Sequence, residues 1–346
     1  MSNENKYVVS ASPHIVSENT TQRAMLDVII ALLPALIAGW YFFGLRVLVL
    51  VTVCVCSAVV AEFVYQWLYF GIKIKSEQNI PFSQALSQAS AKSTINDLSA
   101  VVTGILLAFN LPVTMPLWMA IIGSVFAIVI VKQLFGGIGN NFVNPALSAR
   151  AFLIAAWPGF MTGRFIAPFG SFAKYVTVDV VTSATPLSII KETGEAATSL
   201  LDAFLGNVGG CIGEVSTLAI LIGAIYLLVR RVIDLRIPLA YLLSFAVLTF
   251  FFGTTPYSIE FVLLNMCTGG LMLGAWFMAT DYVTSPVTKG GHIVFGIGCG
   301  IITFAIRRFG GYPEGATYAI LLMNIASPLI DKLVRPRVFG EVKKRG

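Results

Sequence analysis

The chain has 346 residues, of which 57% are hydrophobic and only 12% are charged, and its mean hydropathy is +0.83. Charged residues make up about a quarter of an ordinary soluble domain, so this composition excludes one and predicts a polytopic membrane protein. The net charge of +6 arises from Lys and Arg at the ends of apolar segments, a pattern typical of membrane orientation and not of nucleic-acid binding. The polar start of the chain shows no cleavable signal peptide.

Ten apolar segments follow one another along the chain. A spanning helix needs about 20 apolar residues, and fewer where it is broken or its ends are buried in protein. The segments are Met25–Phe43, Leu45–Phe70, Leu98–Leu111, Leu117–Phe135, Phe142–Trp157, Val215–Val229, Ile237–Phe252, Glu260–Ala279, Ile293–Ile306 and Gly315–Leu333. Successive spanning segments place the loops alternately on the two sides of the membrane. Most Lys and Arg residues lie on the same side as the two termini, and cytoplasmic loops are rich in these residues, so both termini are predicted to be cytoplasmic.

These segments divide the chain into five parts. Residues 1–24 form a cytoplasmic N-terminal segment, 25–157 a first set of five helices, and 158–214 a loop on the outer face. Residues 215–333 form a second set of five helices, and 334–346 a basic cytoplasmic tail.

The two sets of helices share short sequence matches. The letters TGILL at Thr103–Leu107 resemble TGGLM at Thr268–Met272, and FGG occurs at Phe135–Gly137 and again at Phe309–Gly311. Because five is an odd number, the second set must have the opposite orientation to the first. The sequence therefore predicts inverted repeats, as in many transporters, with sites near the midplane where helices are discontinuous.

The stretch FGGIGNNFVNPALSAR, Phe135–Arg150, predicts such a discontinuity in the first half. Its glycines permit tight turns, and Asn140, Asn141 and Asn144 offer amides at a predicted helix start. A helix N-terminus exposes unpaired N–H groups, so an anion or a polar ring can dock there. Helix capping and close packing explain the same residues equally well.

Four charged residues fall within or beside apolar segments, where desolvation is costly and function is the usual reason for a charge. Asp27 and Arg46 lie near segment ends and are expected to snorkel, so that their charged groups extend to the polar surface of the membrane. Glu62 follows a span long enough for its side chain to reach the inner interface. Arg150, beside the glycine-rich break, is the functional candidate.

The cysteines and histidines predict no metal site. Their spacing fits none of the usual zinc or iron–sulfur motifs, and the cysteines are expected to be small buried hydrophobes. The pair Cys54 and Cys56 leaves open a cluster shared with another subunit.

The predicted outer loop contains DVVTSATPLS, Asp179–Ser188. Pro186 favours an extended conformation for the residue before it, so Thr185 is expected to present an exposed hydroxyl. Asp179 adds a carboxylate, and the residues between are small or carry hydroxyls. Either an ordinary Ser/Thr-rich turn or a modification or docking site accounts for this pattern.

Three stretches together resemble one family over nearly the whole chain. DVVTSATPL resembles the flavinylation motif Asp-x-x-Ser/Thr-Gly/Ser-Ala-Thr, whose last Thr takes FMN through a phosphoester made by an FMN transferase. GGIGNNFVNPALSARAF and MATDYVTSPVTKGG (Met278–Gly291) resemble the two half-signatures of the family shared by the D component of Rnf complexes and the B component of the sodium-pumping NADH:quinone oxidoreductase. Tyr282 stands where Pro is expected, and Ser183 where Gly is common. The short polar N-terminus resembles the Rnf branch, with the quinone-reducing branch as the alternative.

The resemblance implies an all-α, urea-transporter-like fold of about ten helices in two inverted five-helix repeats, in the bacterial cytoplasmic membrane. It implies an ion-translocating complex that passes electrons between ferredoxin and NAD, coupled to Na⁺ or H⁺, with partner subunits. It also implies covalent FMN as an electron relay and, in related proteins, a noncovalent riboflavin. The implied site residues are Thr185 as FMN anchor, Asp179, Thr182, Ser183, Ala184, Pro186 and Leu187 around it, and Asn140, Asn141, Asn144, Arg150 and Asp281. Two alternative functions are a small-solute channel and a scaffold of the same fold, and neither explains the stretch DVVTSATPL.

Overall fold

The computed structural model describes residues 20–78, 80–90, 95–172, 185–193, 198–312 and 314–335, and their regular structure is helical. The helices are α1 Thr21–Phe43, α2 Arg46–Gln78, α3 Phe82–Ser90, α4 Ser99–Phe109, α5 Leu117–Val125, α6 Pro145–Ala156, α7 Pro158–Thr162, α8 Pro186–Thr193, α9 Leu200–Leu205, α10 Thr217–Val229, α11 Arg236–Phe252, α12 Ile259–Cys267, α13 Leu271–Leu273, α14 Lys289–Phe309 and α15 Ala316–Leu333.

Each predicted apolar segment coincides with a helix or with a pair of helices. Three of them, α1, α2 and α14, are long and apolar enough to cross a membrane alone, and α12 with the stretch Leu271–Met278 forms a bent span with an angle of 70°. Five further apolar helices are shorter. The prediction of a polytopic, all-helical membrane protein is therefore confirmed.

Two helices continue as π-helices, in which the hydrogen bonds span five residues. α5 continues as Phe126–Gln133, and α13 continues as Gly274–Met278. Such wider turns are often found at functional sites. Both lie beside polar residues of the candidate site described below.

An arginine closes the loop that follows α4. Arg46 donates from Nε to the carbonyl oxygen of Val113 at 2.7 Å and from Nη2 to that of Met115 at 3.0 Å. Buried carbonyl groups beyond a helix end need donors, and in this loop the guanidinium supplies them. Arg46 is only 5% exposed, so the expectation that it reaches the polar surface is wrong.

A second arginine closes the break between α12 and α13. Arg307 donates to the carbonyl oxygens of Asn265 at 2.6 Å, Thr268 at 3.0 Å and Gly269 at 3.2 Å. The helix dipole makes this C-terminal end of α12 partly negative, which favours a cation there. Gly269 and Gly270 both have positive φ angles, of 72° and 67°, which let the chain turn sharply inside the protein.

Asp27 also differs from the expectation. Its carboxylate accepts a hydrogen bond from the Tyr226 hydroxyl at 2.9 Å and pairs with Arg230 Nε at 3.3 Å. The ion pair joins α1 to α10, which pack against each other. Asp27 is therefore a buried tie between two helices and does not extend to the surface.

The free cysteines confirm part of their prediction. Cys54, Cys211 and Cys299 are buried, as expected of small hydrophobes, whereas Cys267 is half-buried and Cys56 is exposed on α2.

Candidate functional site

Thr185 is the residue directly before α8 and caps its N-terminus. Its Oγ1 accepts from the amide of Ser188 at 3.3 Å, and its carbonyl oxygen accepts from the amide of Ile189 at 3.1 Å. Threonine is a favoured N-cap and proline a favoured first helical residue, so Thr-Pro begins a helix. Thr185 is only 7% exposed, and the expectation of an exposed hydroxyl is wrong. Asp179, Thr182, Ser183 and Ala184 lie outside the described residues.

Two cavities meet at Thr185. One has about 300 Å³ of empty space and is lined by Thr185, Pro186, Leu187, Glu214 and Glu314, among others. The other has about 450 Å³, again includes Thr185 and Glu314, and adds Arg150 and the aromatic rings of Phe165, Tyr312 and Tyr318. The structure thus brings together Thr185 and Arg150, which are 35 positions apart in sequence.

Arg150 is the centre of a buried polar cluster, which we call the Arg150 cluster. Its Nη1 donates to Oδ1 of Asn110 at 2.6 Å, and its Nη2 pairs with the Glu314 carboxylate and contacts Cys211 Sγ at 3.7 Å. Arg150 is 4% exposed, and its Nε has no partner among the described residues. The cluster comprises Arg150, Asn110, Cys211, Glu214 and Glu314.

Glu214 is the second carboxylate of the cluster and lies in the loop before α10. It is 8% exposed, and its Oε2 has no hydrogen-bond partner among the described residues. Burial, and then the nearby Glu314 carboxylate, raise the pKa of Glu214 to about 8. Sequence reasoning missed both glutamates, although a lone acid directly before the apolar segment Val215–Val229 was an available signal.

Oxygen atoms of Glu214 and Glu314 and Sγ of Cys211 lie within 4.8 Å of one another. The guanidinium of Arg150 contacts two of these three groups. The positive charge of Arg150 thus already balances the Glu314 carboxylate, and the Arg150 cluster contains a buried ion pair.

The asparagines of the glycine-rich break have separate roles. Asn144 caps α6, since its Oδ1 accepts from the amides of Ala146 at 3.1 Å and Leu147 at 3.2 Å. Its Nδ2 donates to the Met278 carbonyl oxygen at 3.4 Å. Capping, one of the two interpretations left open by the sequence, is thus what Asn144 does in the described structure.

A second cavity region, which we call the Asp281 cavity, has about 800 Å³ of empty space. Asn141, Asn144 and Asp281 line it together with Lys132. Asp281 is half-buried and accepts from the Thr284 hydroxyl at 3.2 Å, and burial raises the pKa of its carboxyl. Asn140 is exposed, donates to the Gly136 carbonyl oxygen and does not line this cavity.

Lys132 also forms a buried ion pair with Glu62. Its Nζ lies 2.8 Å from Glu62 Oε1 and 2.6 Å from Ser99 Oγ, and Gln133 Nε2 donates to the same carboxylate oxygen at 2.6 Å. The side chains of Glu62 and Lys132 are 1% and 4% exposed. The expectation that Glu62 reaches the inner interface is therefore wrong.

Polar contacts connect the Arg150 cluster to the Asp281 cavity. Asn110 accepts from Arg150 and its Nδ2 lies 3.6 Å from Met278 Sδ, while the Met278 carbonyl oxygen accepts from Asn144. Arg150 follows Asn144 by six residues on α6, a rise of about 9 Å. The two regions thus lie close together along one helix.

These features define an integral membrane protein that has broken helices, buried ion pairs and polar cavities among its described helices. The profile of the NQR2, RnfD, RnfE family matches residues 8–340, and the chain belongs to this family.

Three relatives are similar over nearly their whole length, and each is named as the D component of its complex. One belongs to the Na(+)-translocating ferredoxin:NAD(+) oxidoreductase complex of Acetobacterium woodii and is 49% identical over 99% of this chain and 98% of the relative. Another belongs to the proton-translocating ferredoxin:NAD(+) oxidoreductase complex of Clostridium ljungdahlii and is 39% identical over 97% of both chains. The third belongs to the ion-translocating oxidoreductase complex of Stutzerimonas stutzeri and is 38% identical over 93% of both.

Proposed function

We propose that this chain is the D component, RnfD, of an Rnf-type ion-translocating ferredoxin:NAD⁺ oxidoreductase. The family match and the names of the relatives, each similar over nearly the whole chain, support this assignment over the B component of the quinone-reducing enzyme. The complex lies in the bacterial cytoplasmic membrane, with both termini cytoplasmic and the Thr185 loop on the outer face. Two of these relatives are named for different ions, so the proposal covers Na⁺ and H⁺.

The inverted five-plus-five layout is part of this proposal. In each half a short helix, α4 or α12, ends at a break where an arginine, Arg46 or Arg307, donates to the carbonyl groups. In each half an FGG stretch precedes the last helix, α6 or α15. These last helices pack together, and Arg150 of α6 pairs with Glu314 directly ahead of α15.

The position of Thr185 is the observation that carries the cofactor proposal. Its hydroxyl caps α8 and borders two cavities. A helix N-terminus favours a phosphate, which FMN carries at its point of attachment. Phe165, Tyr312 and Tyr318 offer aromatic surface to a flavin ring. The residues present therefore fit FMN on Thr185.

When bound, the flavin would supply the redox chemistry that no side chain provides. The protein's contribution is position: a phosphoester on Thr185 keeps the relay at one place between turnovers and replaces an encounter in solution by a local one. Thr185 is thus an anchor and takes no part in turnover. The segment from Asp179 to Ala184, with Pro186 and Leu187, is proposed as the recognition element for an FMN transferase.

A noncovalent riboflavin, which the resemblance implies, is proposed for the Asp281 cavity. Its mixed lining supports this choice: Asn141 and Asp281 offer polar groups, while Leu106, Leu227 and Phe277 offer apolar surface. Most ligand pockets combine such apolar walls with a few polar groups.

Complementation of a strain that lacks this gene tests the function. Membranes with the wild-type chain should show ferredoxin-dependent NAD⁺ reduction coupled to Na⁺ or H⁺ uptake into inverted vesicles, and Thr185→Ala should abolish both. Thr255→Ala, which changes an exposed threonine that also precedes a proline and lines neither cavity, is the matched control and should retain both. Full coupled activity in Thr185→Ala would overturn the relay, and solute flux without redox activity would favour the channel.

A further inference from the structure

Glu214 is a buried acid that the proposed function leaves unused. Its side chain lies in the loop Gly206–Ser216, outside the membrane-spanning helices, and is 8% exposed. Its Oε2 atom finds no hydrogen-bond partner in the part of the chain that the structure describes. A buried ionised carboxylate without a partner is costly, and such a group usually becomes neutral.

The cation nearest to Glu214 is already engaged. Arg150 directs its two terminal nitrogens to Asn110, Cys211 and Glu314. The cluster therefore contains two carboxylates close together and one guanidinium, which pairs with Glu314. Two neighbouring carboxylates, of which Glu214 is buried, resist joint ionisation, so one of them retains a proton.

The other charged and titratable groups that face Glu214 do not change the protonation of the two carboxylates. Arg307 contributes positive charge, but its guanidinium donates to the carbonyl oxygens of Asn265, Thr268 and Gly269. Burial raises the pKa of the Cys211 thiol well above its ordinary value, so this group stays neutral.

The backbone around Glu214 fits closely. A Cβ atom at Gly270 would lie 3.1 Å from Glu214 Oε2, and one at Gly210 would lie 2.7 Å from Glu214 Oε1. Two glycines thus make room for the carboxyl group where larger residues would crowd it. Both carboxylates and Thr185 line the same cavity.

We propose that Glu214, together with Glu314, holds one exchangeable proton beside Thr185 and exchanges it with the flavin carried there. The positions of Glu214, Glu314 and Arg150 support the presence of a proton on the carboxylate pair, whereas the transfer of this proton to a flavin rests on the proposed function. The pKa of about 8 for Glu214 agrees with a group that is protonated at neutral pH and can still release its proton.

The exchange balances in charge. An electron that comes from ferredoxin through the complex would add one negative charge to a flavin on Thr185, and the proton that leaves Glu214 would neutralise that charge. The pair is then ionised, and a proton from the aqueous phase restores it. When the electron moves on, a flavin on Thr185 would return its proton to the aqueous phase, so that the carboxylate pair keeps the one proton with which it began.

Infrared difference spectroscopy on the full-length chain in lipid nanodiscs tests the first part. We expect the carbonyl band of a protonated carboxylic acid at neutral pH, lost on alkaline titration. A carboxyl-¹³C glutamate label should shift the band, which assigns it to Glu without any substitution. The band should disappear in Glu214→Gln and persist in Glu260→Gln and Glu62→Gln, which change an exposed acid and a buried paired one. A wild-type chain without this band would overturn the proposal.

Sodium provides a second arm of the same experiment. At constant pH, replacing choline chloride by sodium chloride should leave the band unchanged. Loss of the band on sodium addition would overturn the proton assignment and show that the pair binds Na⁺. The same spectra on Thr185→Ala, which carries no flavin, should retain the band.

A redox titration of the flavin in the complex tests the second part. The midpoint potential should depend on pH, with a change of slope where Glu214 titrates, and Glu214→Gln should remove this change. Equal pH dependence in both proteins would overturn the transfer to the flavin while the infrared band still reports the proton. Absence of any flavin on the wild-type chain would instead refute the proposed function.

Discussion

The guanidinium of Arg150, in the middle of α6, pairs with the carboxylate of Glu314, which lies just before α15. The same side chain donates to Asn110 at the end of α4. One arginine thus joins three segments that are far apart in sequence, and it does so beside the cavity that contains Thr185.

Arg150→Ala should lower the free energy of unfolding by about 3–5 kcal/mol, because it leaves Glu314 and Asn110 without their buried partner. Arg150→Lys should recover little, since an ammonium group cannot reproduce the paired contacts of a guanidinium. The apparent melting temperature in detergent reports the effect. Arg308→Ala, at the exposed end of α14, is the control and should remain close to wild type. Equal melting of Arg150→Ala and wild type would contradict this role.

The buried pair Glu62–Lys132 predicts strong coupling. Glu62→Gln or Lys132→Met alone should each destabilise the chain by about 3–5 kcal/mol, because each removes one charge of the pair and leaves the opposite charge buried without its partner. The double variant should recover much of the loss. Melting temperatures of the four proteins in a double-mutant cycle measure the coupling.

The matched control is the exposed pair Lys73–Glu77, 4.0 Å apart on the same helix as Glu62, with side chains 57% and 58% exposed. Its coupling should be about 0.3–0.5 kcal/mol. Similar coupling for both pairs would show that burial of Glu62 does not strengthen its ion pair.

Gly269→Ala should disturb the start of α8. Its φ of 72° strains any L-residue, and the new Cβ would overlap with Leu187, two residues after Thr185. Gly139→Ala carries the same kind of backbone strain at φ 90° but meets no atom within 4 Å. Both should lose about 1–2 kcal/mol from strain, and Gly269→Ala more. Flavin content per chain should fall only in Gly269→Ala; an equal fall in both would contradict the packing argument.

Stability should depend on pH through Glu214. Its pKa is raised from the ordinary 4.5 to about 8, so the folded state binds the proton more tightly than the unfolded state. The contribution is fully present below pH 4.5 and is lost as the pH rises through about 8. Melting curves across this window should show a steeper decline for wild type than for Glu214→Gln. Parallel declines would mean that Glu214 is ionised throughout.

Sequence reasoning found the apolar segments because a long run of hydrophobic residues has few alternatives to a helix. It found Asn144 because an amide before proline is a local helix-start signal. It did not foresee that Glu62 meets Lys132, 70 positions later, since no local pattern encodes which buried charge meets which. It also predicted an extended, exposed Thr185-Pro186, although the same two residues favour a helix start. Glu214 and Glu314 were missed because each is a single acid in a loop.

Intact mass tests most directly whether Thr185 carries FMN. Protein purified from its native membrane should show a covalent, FMN-sized increase in mass and in-gel flavin fluorescence after denaturation. Both should be absent from Thr185→Ala and present in Thr255→Ala, which changes an exposed threonine outside the cavity. An unmodified wild-type chain from a host with an active FMN transferase, or a flavin retained by Thr185→Ala, would contradict the claim.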